Sequence, residues 1–280
     1  MGLRPNKRPV LLAIVSLCAL GFVFRTRSLG AACTHNTSEP LQLDSEKRSN
    51  HSAQAIPALV RHCSGSRYSN IARLAYENAR LYALLHNIQA FTANSSSMPG
   101  QAFYTPKSWL KVAFMLHILR SEKHIDWLLW LDCDALIVNT TLALGDFLNS
   151  IDVSSDHDLV VAADLAPSPF NLGVIFLRNT AWSVQLLVRL LELAENDDIR
   201  NHPWWEQHAL HKLYGEGELD VKLKMKIVEE RWRLNAFASL NEERPDSFIW
   251  HRVNCHEQPK CDTLFRKRFC DIHAPHEFCS

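Results

Sequence analysis

The sequence predicts an α/β fold with a mostly parallel central sheet flanked by helices. Short, continuously apolar segments of strand length alternate with longer segments whose apolar residues recur at helical spacing. The composition is 47% hydrophobic and 21% charged, which is typical of a globular protein. The globular part begins at Ile56 and leaves about 225 residues, a length that suits one domain.

The first half of this domain predicts two strands and three helices. Apolar residues at positions 71, 74, 75, 81, 82, 85 and 88 have helical spacing. Thr105 and Pro106 have the residue types of an N-cap and a first helical position. The segment Trp127–Leu131 is wholly apolar, as in a strand buried on both faces. The predicted elements are strand Ile56–Val60, helix Ser69–Phe91, helix Pro106–Arg120, a strand within Ile125–Val138 and helix Leu142–Ser150.

The second half continues the alternation. The helix that begins at Thr180 is amphipathic, and His202 and Pro203 open another helix. The predicted elements are strands Asp158–Ala163 and Leu172–Leu177, helices Thr180–Ala194 and His202–Tyr214, and strands Lys226–Glu229 and Phe248–His251. Since strands and helices alternate along the whole length, the connections favour parallel pairing.

The first 55 residues predict a membrane anchor and a stem. Val10–Phe24 is an uncharged apolar run of fifteen residues between basic flanks, somewhat shorter than the ~20 residues of a typical spanning helix. We interpret residues 1–9 as a cytoplasmic tail, 10–24 as a signal-anchor transmembrane helix and 25–55 as a flexible lumenal stem. Residues 56–280 are the globular domain with a Cys-rich C-terminal tail. The alternative is a signal peptide cleaved near Gly30, with the chain in the ER lumen or secreted.

Sequons and cysteines also indicate a lumenal chain. If Cys18 and Cys133 are set aside, six cysteines remain, and an even number in an oxidising compartment predicts disulfides with 15 possible pairings. A zinc site built from the C-terminal cysteines with His256, His273 or His276 is the alternative, although no C-x-x-C occurs. The sequons are Asn36, Asn50, Asn94 and Asn139; the six cysteines are Cys33, Cys63, Cys255, Cys261, Cys270 and Cys279.

Charge and glycine content exclude several classes of ligand. Thirty basic and thirty acidic residues give a formal net charge of zero, which argues against a nucleic-acid partner. The chain has nine glycines and contains neither G-x-G-x-x-G nor G-x-x-x-x-G-K-[ST]. The common dinucleotide and nucleoside-triphosphate loops are therefore not predicted.

A carboxylate pair follows the buried strand Trp127–Leu131. Ligands of open α/β sheets bind at the carboxyl ends of strands, so Asp132 and Asp134 are expected to face a crevice. Hard divalent cations share their coordination between carboxylates and substrate phosphates, which predicts a metal–diphosphate ligand. A second pair, Asp156 and Asp158, precedes a strand, and we interpret it as a solvated turn.

Four motifs around this pair resemble glycosyltransferase family 34 in order and spacing. They are LWLDCDALIVN, NLGVIFLRNTAWS, EQHAL and FIWHRVNC, within a similarity that runs from about Ile56 to Cys255. The family includes yeast α-galactosyl- and α-mannosyltransferases and plant xyloglucan xylosyltransferases. The resemblance implies a GT-A-like nucleotide-diphospho-sugar transferase fold, Mn²⁺ (or Mg²⁺), a nucleotide-sugar donor, retention at the anomeric carbon and a Golgi membrane protein of type II.

The resemblance also implies a metal site. Asp132 and Asp134 match the family's metal-binding D-x-D, and His251 matches a third metal ligand in its late H-F-x-G-C pattern. Two residues depart from that pattern: Arg252 replaces the aromatic residue and Asn254 replaces a glycine. A glycine at this position would permit close approach of the backbone to phosphate.

Further candidates surround the donor sugar. Gln207 matches the glutamine of the family's Asp-Gln, and Glu206 replaces its aspartate, a further departure from the family pattern. Both are catalytic candidates, with Gln207 as an orienting group. Asp164 follows a strand and is a catalytic candidate that binds an acceptor or donor hydroxyl. The substrate-binding candidates are Asn171 and Gly173 beside the donor sugar, Lys111 at phosphate and Trp205 against the acceptor.

The expected function is a metal-dependent retaining glycosyltransferase of the Golgi. It moves a hexose or pentose from a UDP- or GDP-sugar to a glycan or glycoprotein acceptor. The membrane, through the N-terminal helix, and other glycosyltransferases are further expected partners. The alternative is a catalytically inactive family-34-like protein that acts in lumenal binding or assembly. A metal phosphohydrolase is less favoured because a second ion would need more ligands.

Overall fold

The described part of the chain, residues 56–63, 68–92, 106–257 and 260–279 of a computed structural model, contains two sheets. All of it lies within one unit, Ser52–Ser280. The strands are β1 Pro57–Arg61, β2 Gln89–Thr92, β3 Trp127–Leu131, β4 Ala135–Ile137, β5 Leu159–Ala162, β6 Asn171–Arg178, β7 Met225–Val228, β8 Ala236–Phe237 and β9 Ile249–His251. The helices are α1 Ser69–Leu85, α2 Trp109–Ser121, α3 Leu144–Ser150, α4 Ala181–Leu193, α5 Asp197–Arg200, α6 Trp205–Glu216, α7 Val221–Lys224, α8 Arg231–Leu234 and α9 Cys261–His273.

The main sheet has six strands in the order β2-β1-β3-β6-β5-β7. Parallel pairs join β1 to β2, β1 to β3 and β5 to β7. Only β6 runs against its neighbours β3 and β5 within this sheet. The prediction of an α/β fold with a mostly parallel sheet is therefore confirmed.

A smaller sheet of three strands, β4-β9-β8, lies beyond the end of β3. The chain leaves β3 at Leu131 and enters β4 at Ala135, which leaves only three residues between the two strands. Ala135 pairs with His251 in antiparallel register. This register brings the late strand β9 to the carboxyl end of β3.

Helices cover both faces of the main sheet. Alternation along β1 sends Ala58 and Val60 into one core with α2, α4 and α6, while Leu59 enters another with α1 and α3. A third cluster packs α9 against α1 and the small sheet. Since the inner strands β1, β3, β5 and β6 are buried on both faces, solvent reaches their polar side chains mainly at strand ends.

Two helix boundaries differ from the predicted ones. α1 ends at Leu85 rather than Phe91, because Asn87 takes the left-handed backbone (φ 51°) and turns the chain into β2. α2 begins at Trp109, and residues 106–108 form a turn in which the Pro106 carbonyl accepts from the Trp109 N–H. The apolar pattern continues through the turn after α1, whereas the early start predicted for α2 came from the residue types of Thr105 and Pro106.

Disulfides join Cys63 to Cys133, Cys255 to Cys261 and Cys270 to Cys279. Setting Cys133 aside was wrong, since it bonds a cysteine 70 residues earlier in the chain. The zinc alternative also fails for the C-terminal cysteines, because their sulfurs are bonded to one another. Cys33 lies outside the described residues.

The prediction of a single-pass type II Golgi membrane protein is contradicted. No helix in the described ranges is long and apolar enough to cross a membrane. The longest of them, α1, has 17 residues and exposes one polar face. The predicted tail 1–9, anchor 10–24 and stem 25–55 lie outside the described residues, as do the sequons at Asn36, Asn50 and Asn94.

Candidate functional site

Three predicted metal ligands meet at the carboxyl end of β3. One oxygen each of Asp132 and Asp134 and one ring nitrogen of His251 all lie within 4.8 Å of one another. Asp132 and Asp134 occupy the short link from β3 to β4, and His251 is the last residue of β9. His251 and Asp134 are buried, whereas the side chain of Asp132 is 32% exposed. The site is therefore a buried pocket that opens to solvent at Asp132.

A chain of amide hydrogen bonds sets the tautomer of His251. Asn171 Nδ2 donates to the Asp164 carboxylate (3.3 Å), so Asn171 Oδ1 must be the acceptor for Asn235 Nδ2 (3.0 Å). Asn235 Oδ1 then faces His251 Nδ1 at 2.9 Å, and Nδ1 must carry the proton. In neutral His251, the Nε2 lone pair consequently points at Asp134 Oδ1, 3.2 Å away.

The two oxygens of Asp134 have different partners. Oδ1 faces His251, while Oδ2 accepts a hydrogen bond from the backbone N–H of Cys255 (3.3 Å). Burial alone would raise the pKa of Asp134, but the charge and hydrogen bond of a protonated His251 ring, together with the Cys255 N–H, outweigh burial and lower it. Asp134 is thus held as a carboxylate.

Gly173 allows His251 to occupy this position. A Cβ at residue 173 would lie 2.2 Å from His251 Cε1 and 2.9 Å from Nδ1, far inside van der Waals contact. The Gly173 N–H donates to Asn171 Oδ1 (2.8 Å), and its carbonyl accepts from the Asp132 N–H (2.8 Å). Gly173 and Asn171, predicted to bind substrate, both contact the metal-ligand network directly; substrate binding by either stays a prediction.

Lys111 crosses the base of the site from α2. Its ammonium lies 3.0 Å from Asp132 Oδ1 and 2.9 Å from Glu206 Oε1, and it donates to the Leu172 carbonyl at 2.8 Å. Burial lowers the pKa of Lys111, but the two carboxylates more than compensate and raise it. Trp130 Nε1 also donates to Asp132 Oδ1 (2.7 Å). Lys111 was predicted to bind phosphate, yet all three of its N–H groups point at protein atoms.

Glu206 is buried beneath the site. Oε1 pairs with Lys111, whereas Oε2 has no hydrogen-bond partner in the described part of the chain. Burial raises the pKa of Glu206 in spite of Lys111. Glu206 was predicted to be catalytic, but it is placed to hold Lys111 and, through it, Asp132.

Gln207 is locked by its own hydrogen bonds. Oε1 accepts from the Leu172 N–H (3.0 Å), and Nε2 donates to Asp164 Oδ2 (3.2 Å) and to Ser168 Oγ (3.1 Å). Asp164 is partly exposed and also accepts from the Leu165 N–H (2.8 Å). The pair therefore presents an oriented carboxylate, with Gln207 as the orienting group.

Two exposed tryptophans adjoin Gln207 at the start of α6. Trp204 and Trp205 are 39% and 37% exposed, so they do not fill the core. Trp205 has φ 39°, a left-handed backbone that is strained for a bulky residue. Such exposed aromatic surface beside a polar cluster suits the predicted acceptor contact of Trp205.

The structure shows how Arg252 and Asn254, the two departures from the late motif pattern, fit at their positions. Asn254 adopts φ 56°, the left-handed region that glycine occupies freely and asparagine tolerates. The Arg252 N–H donates to the Asp134 carbonyl (2.9 Å), a backbone bond that any residue supplies. The second aspartate pair is a turn, but Asp158 is buried and pairs with Lys224 (3.2 Å), so only Asp156 fits the solvated interpretation.

Two residues of the site were missed in the sequence. Asn235 lies on a loop before β8, and Arg61 ends β1; both are fully buried. Neither belongs to a recognisable motif. For Arg61, the one sequence feature that could have indicated a role was its position as a charged residue at the end of an apolar strand. No sequence feature singled out Asn235.

Comparisons with known proteins agree with this geometry. The sequence profile of the galactosyl transferase GMA12/MNN10 family matches residues 58–153. Over 216 residues the chain is 23% identical to the probable alpha-1,6-mannosyltransferase MNN10 of Saccharomyces cerevisiae. These two matches support the resemblance to glycosyltransferase family 34. The match covers 67% of this chain and 53% of the yeast protein, so the chain spans about half the length of that relative.

The fold of this chain is shared with a solved structure. A glycosyltransferase involved in the glycosylation of the major capsid of PBCV-1 superimposes with a TM-score of 0.60. The superposition covers 76% of this chain and 99% of the other at 15% identity, which supports the fold alone. The expected GT-A-like fold is thereby confirmed.

Proposed function

We propose that this protein is a metal-dependent, retaining glycosyltransferase with residues 56–280 as its catalytic domain. It moves a hexose or pentose from a nucleoside-diphosphate sugar to a glycan or glycoprotein acceptor. The observation that carries the proposal is the cluster of Asp132, Asp134 and His251 within 4.8 Å at the carboxyl end of a central strand. The name of the yeast relative, a probable mannosyltransferase, favours a hexose.

The donor set suits a divalent cation. Asp134 Oδ1 and the Nε2 lone pair of neutral His251 are both acceptors, and they face each other at 3.2 Å. Two facing acceptors repel unless a proton or a cation lies beside both of them. Carboxylate oxygens with one imidazole nitrogen suit Mn²⁺, and Mg²⁺ accepts the oxygens equally well.

The leaving group explains the need for a cation. Departure of a nucleoside diphosphate builds negative charge on phosphate oxygens, which a bound divalent cation stabilises. Asp132, Asp134 and His251 would hold that cation. Asn235 fixes the ring of His251, while Lys111 fixes Asp132, so both act as positioning residues.

Asp164 and Gln207 are proposed to act at the sugar. The transition state of glycosyl transfer places positive charge on the sugar, which a carboxylate stabilises. Asp164 supplies that carboxylate, and the hydrogen bond from Gln207 Nε2 orients it. Gln207 is a poor nucleophile, so substitution on one face of the sugar is preferred to a covalent intermediate. Trp205 is proposed to contact the acceptor.

The alternative of an inactive binding protein rested on two departures from the family pattern. Asn254 occupies the left-handed backbone that the glycine would supply. Glu206 keeps a carboxylate on Lys111 in the place of aspartate. Asn254 and Glu206 thus keep the backbone conformation and the carboxylate that the family residues would supply. Catalytic activity is therefore better supported than an inactive binding role.

The full chain should be incubated with Mn²⁺ and a panel of nucleotide sugars while released nucleoside diphosphate is measured. We expect one donor to be used, and we expect Asp132→Ala and Asp134→Ala to lose at least ~100-fold in rate. Asp156→Ala is the matched control, because it changes an exposed aspartate of the other D-x-D. No turnover and no binding with any donor would refute the proposal.

A further inference from the structure

Arg61 is an unusual residue in this site. It ends β1, and its side chain is fully buried. All three of its guanidinium nitrogens, Nε and both Nη, are buried without a hydrogen-bond partner among the described residues. Within the described part of the chain, the five N–H donors of this buried cation are therefore unengaged.

Such an arrangement is costly to the folded protein. Burying an unpaired cation costs several kcal/mol of desolvation, so buried charges are normally paired. The cost shows in the pKa of Arg61, which burial lowers to about 10 although Tyr76, Asp132 and Asp134 oppose the shift. An uncompensated charge in a defined place is typical of a group that pairs with a ligand.

The strand register places the end of β1 beside the segment that carries the metal ligands, and the carboxylates of Asp132 and Asp134 act electrostatically on Arg61. Arg61 pairs with Leu131 of β3, the residue directly before Asp132. The side chain of Asp132 is 32% exposed, so the crevice reaches solvent there. A phosphate oxygen that enters the crevice along Asp132 would approach both the cation site and the end of β1.

We infer that Arg61 binds the diphosphate of the donor, with its guanidinium fork on phosphate oxygens. Lys111 is less suited because its three N–H groups already contact Asp132, Glu206 and the Leu172 carbonyl. An arginine fork matches two phosphate oxygens, and such charge-assisted pairs are short and strong. Arg61 thus supplies, at the diphosphate, the positive charge that the sequence predicted for Lys111.

This inference rests on the proposed function but is tested separately from it. Binding of UDP and GDP to the full chain with saturating Mn²⁺ should be measured by calorimetry for the wild type and Arg61→Gln. We expect the affinity for the preferred nucleoside diphosphate to fall about 10- to 100-fold, the range for one lost charge-assisted contact. Affinity for the corresponding nucleoside, which lacks phosphate, should not change.

The metal alone gives a readout of opposite sign. Removing a cation beside Asp132 and Asp134 should leave Mn²⁺ binding unchanged or make it tighter. If Arg61 serves only as a counter-ion for these carboxylates, nucleoside diphosphate affinity will not fall, and the inference is overturned. The apo Tm of Arg61→Gln should stay equal or rise, because an unpaired buried charge is removed.

Two further variants complete the design. Arg61→Lys keeps the charge and loses the fork, so we expect an intermediate affinity even if Arg61→Gln does not fold. Arg80→Gln is the matched control, since Arg80 is an exposed arginine on α1 that pairs with Glu77. If Arg61→Gln is unfolded, equal affinity for nucleoside diphosphate in the wild type and Arg61→Lys overturns the inference.

Two outcomes separate this inference from the proposed function. A wild type that binds Mn²⁺ but no nucleoside diphosphate overturns both proposals. Normal turnover with an unchanged KM in Arg61→Gln overturns only the inference about Arg61.

Discussion

The contact between Gly173 and His251 makes Gly173→Ala a sharp test of the site. Gly173 lies in β6 with ordinary strand backbone, so alanine introduces no strain in the main chain. The added Cβ would lie 2.2 Å from His251 Cε1, whereas ordinary contacts begin at 3.4 Å. The ring must therefore retreat by about 1.2 Å, more than the ~0.5 Å that functional geometry tolerates.

His251 has little room for such a shift. Its Nδ1 is bound to Asn235, and its Nε2 lies 3.2 Å from Asp134. Displacement of the His251 ring breaks at least one of these contacts and moves the ring nitrogen away from the other metal ligands. We expect Mn²⁺ affinity to fall by ~10- to 100-fold, the range found when support of a metal ligand is lost. Overpacking should also lower the free energy of unfolding by ~1–3 kcal/mol.

The assay is Mn²⁺ titration by calorimetry on Gly173→Ala, with Gly145→Ala as control. An added Cβ at Gly145 meets no atom within 4 Å, so that variant should bind as the wild type does. In a His251→Ala background, Gly173→Ala should cause no further loss of affinity, because the two changes act through one contact. Wild-type Mn²⁺ affinity in Gly173→Ala would show that the ring of His251 is not a ligand held by this packing.

Three other expectations follow from the contacts. Lys111→Met leaves Asp132 and Glu206 without their shared cation and should destabilise the protein by ~3–5 kcal/mol in denaturant unfolding. Asn235→Ala frees the ring of His251 and should weaken Mn²⁺ binding ~10-fold or more by calorimetry, with kcat recovered at high Mn²⁺. Burial raises the pKa of Glu242, but Arg231 and the Phe237 N–H outweigh burial and lower it, so its stabilisation is present above pH ~4.5 and is lost as pH falls below that value. Unfolding of Glu242→Gln followed against pH should lack that loss, and an unchanged slope would contradict the assignment.

Much of the fold was predictable because its signals are local. The apolar run Trp127–Leu131 identifies a doubly buried strand within five residues, and the aspartates after it follow from the same window. The amphipathic spacing of α4 is likewise complete within its own 13 residues. β2 escaped prediction because it follows α1 after a three-residue turn and continues its apolar pattern.

The site was predictable in part for a related reason. Asp132, Asp134 and His251 stand in motifs whose order along the chain resembles a family, so the resemblance supplied a long-range relation. Glu206 also belongs to a motif, but the motif did not predict where its side chain points. In the structure the side chain turns inward to Lys111. Sequence places a residue on an element, whereas the packing of elements decides which way its side chain points.

The sequence by itself determined the alternating elements, the carboxylate pair at a strand end and the resemblance to a family, since each depends on short windows or ordered motifs. Only the tertiary structure decided that Cys133 bonds Cys63, that Asn235 orients His251 and that Arg61 is buried without a hydrogen-bond partner among the described residues. His251 and Asp134 are 117 residues apart, and the register of β9 on β4 brings them together. Such contacts depend on the whole topology, and no local pattern encodes them.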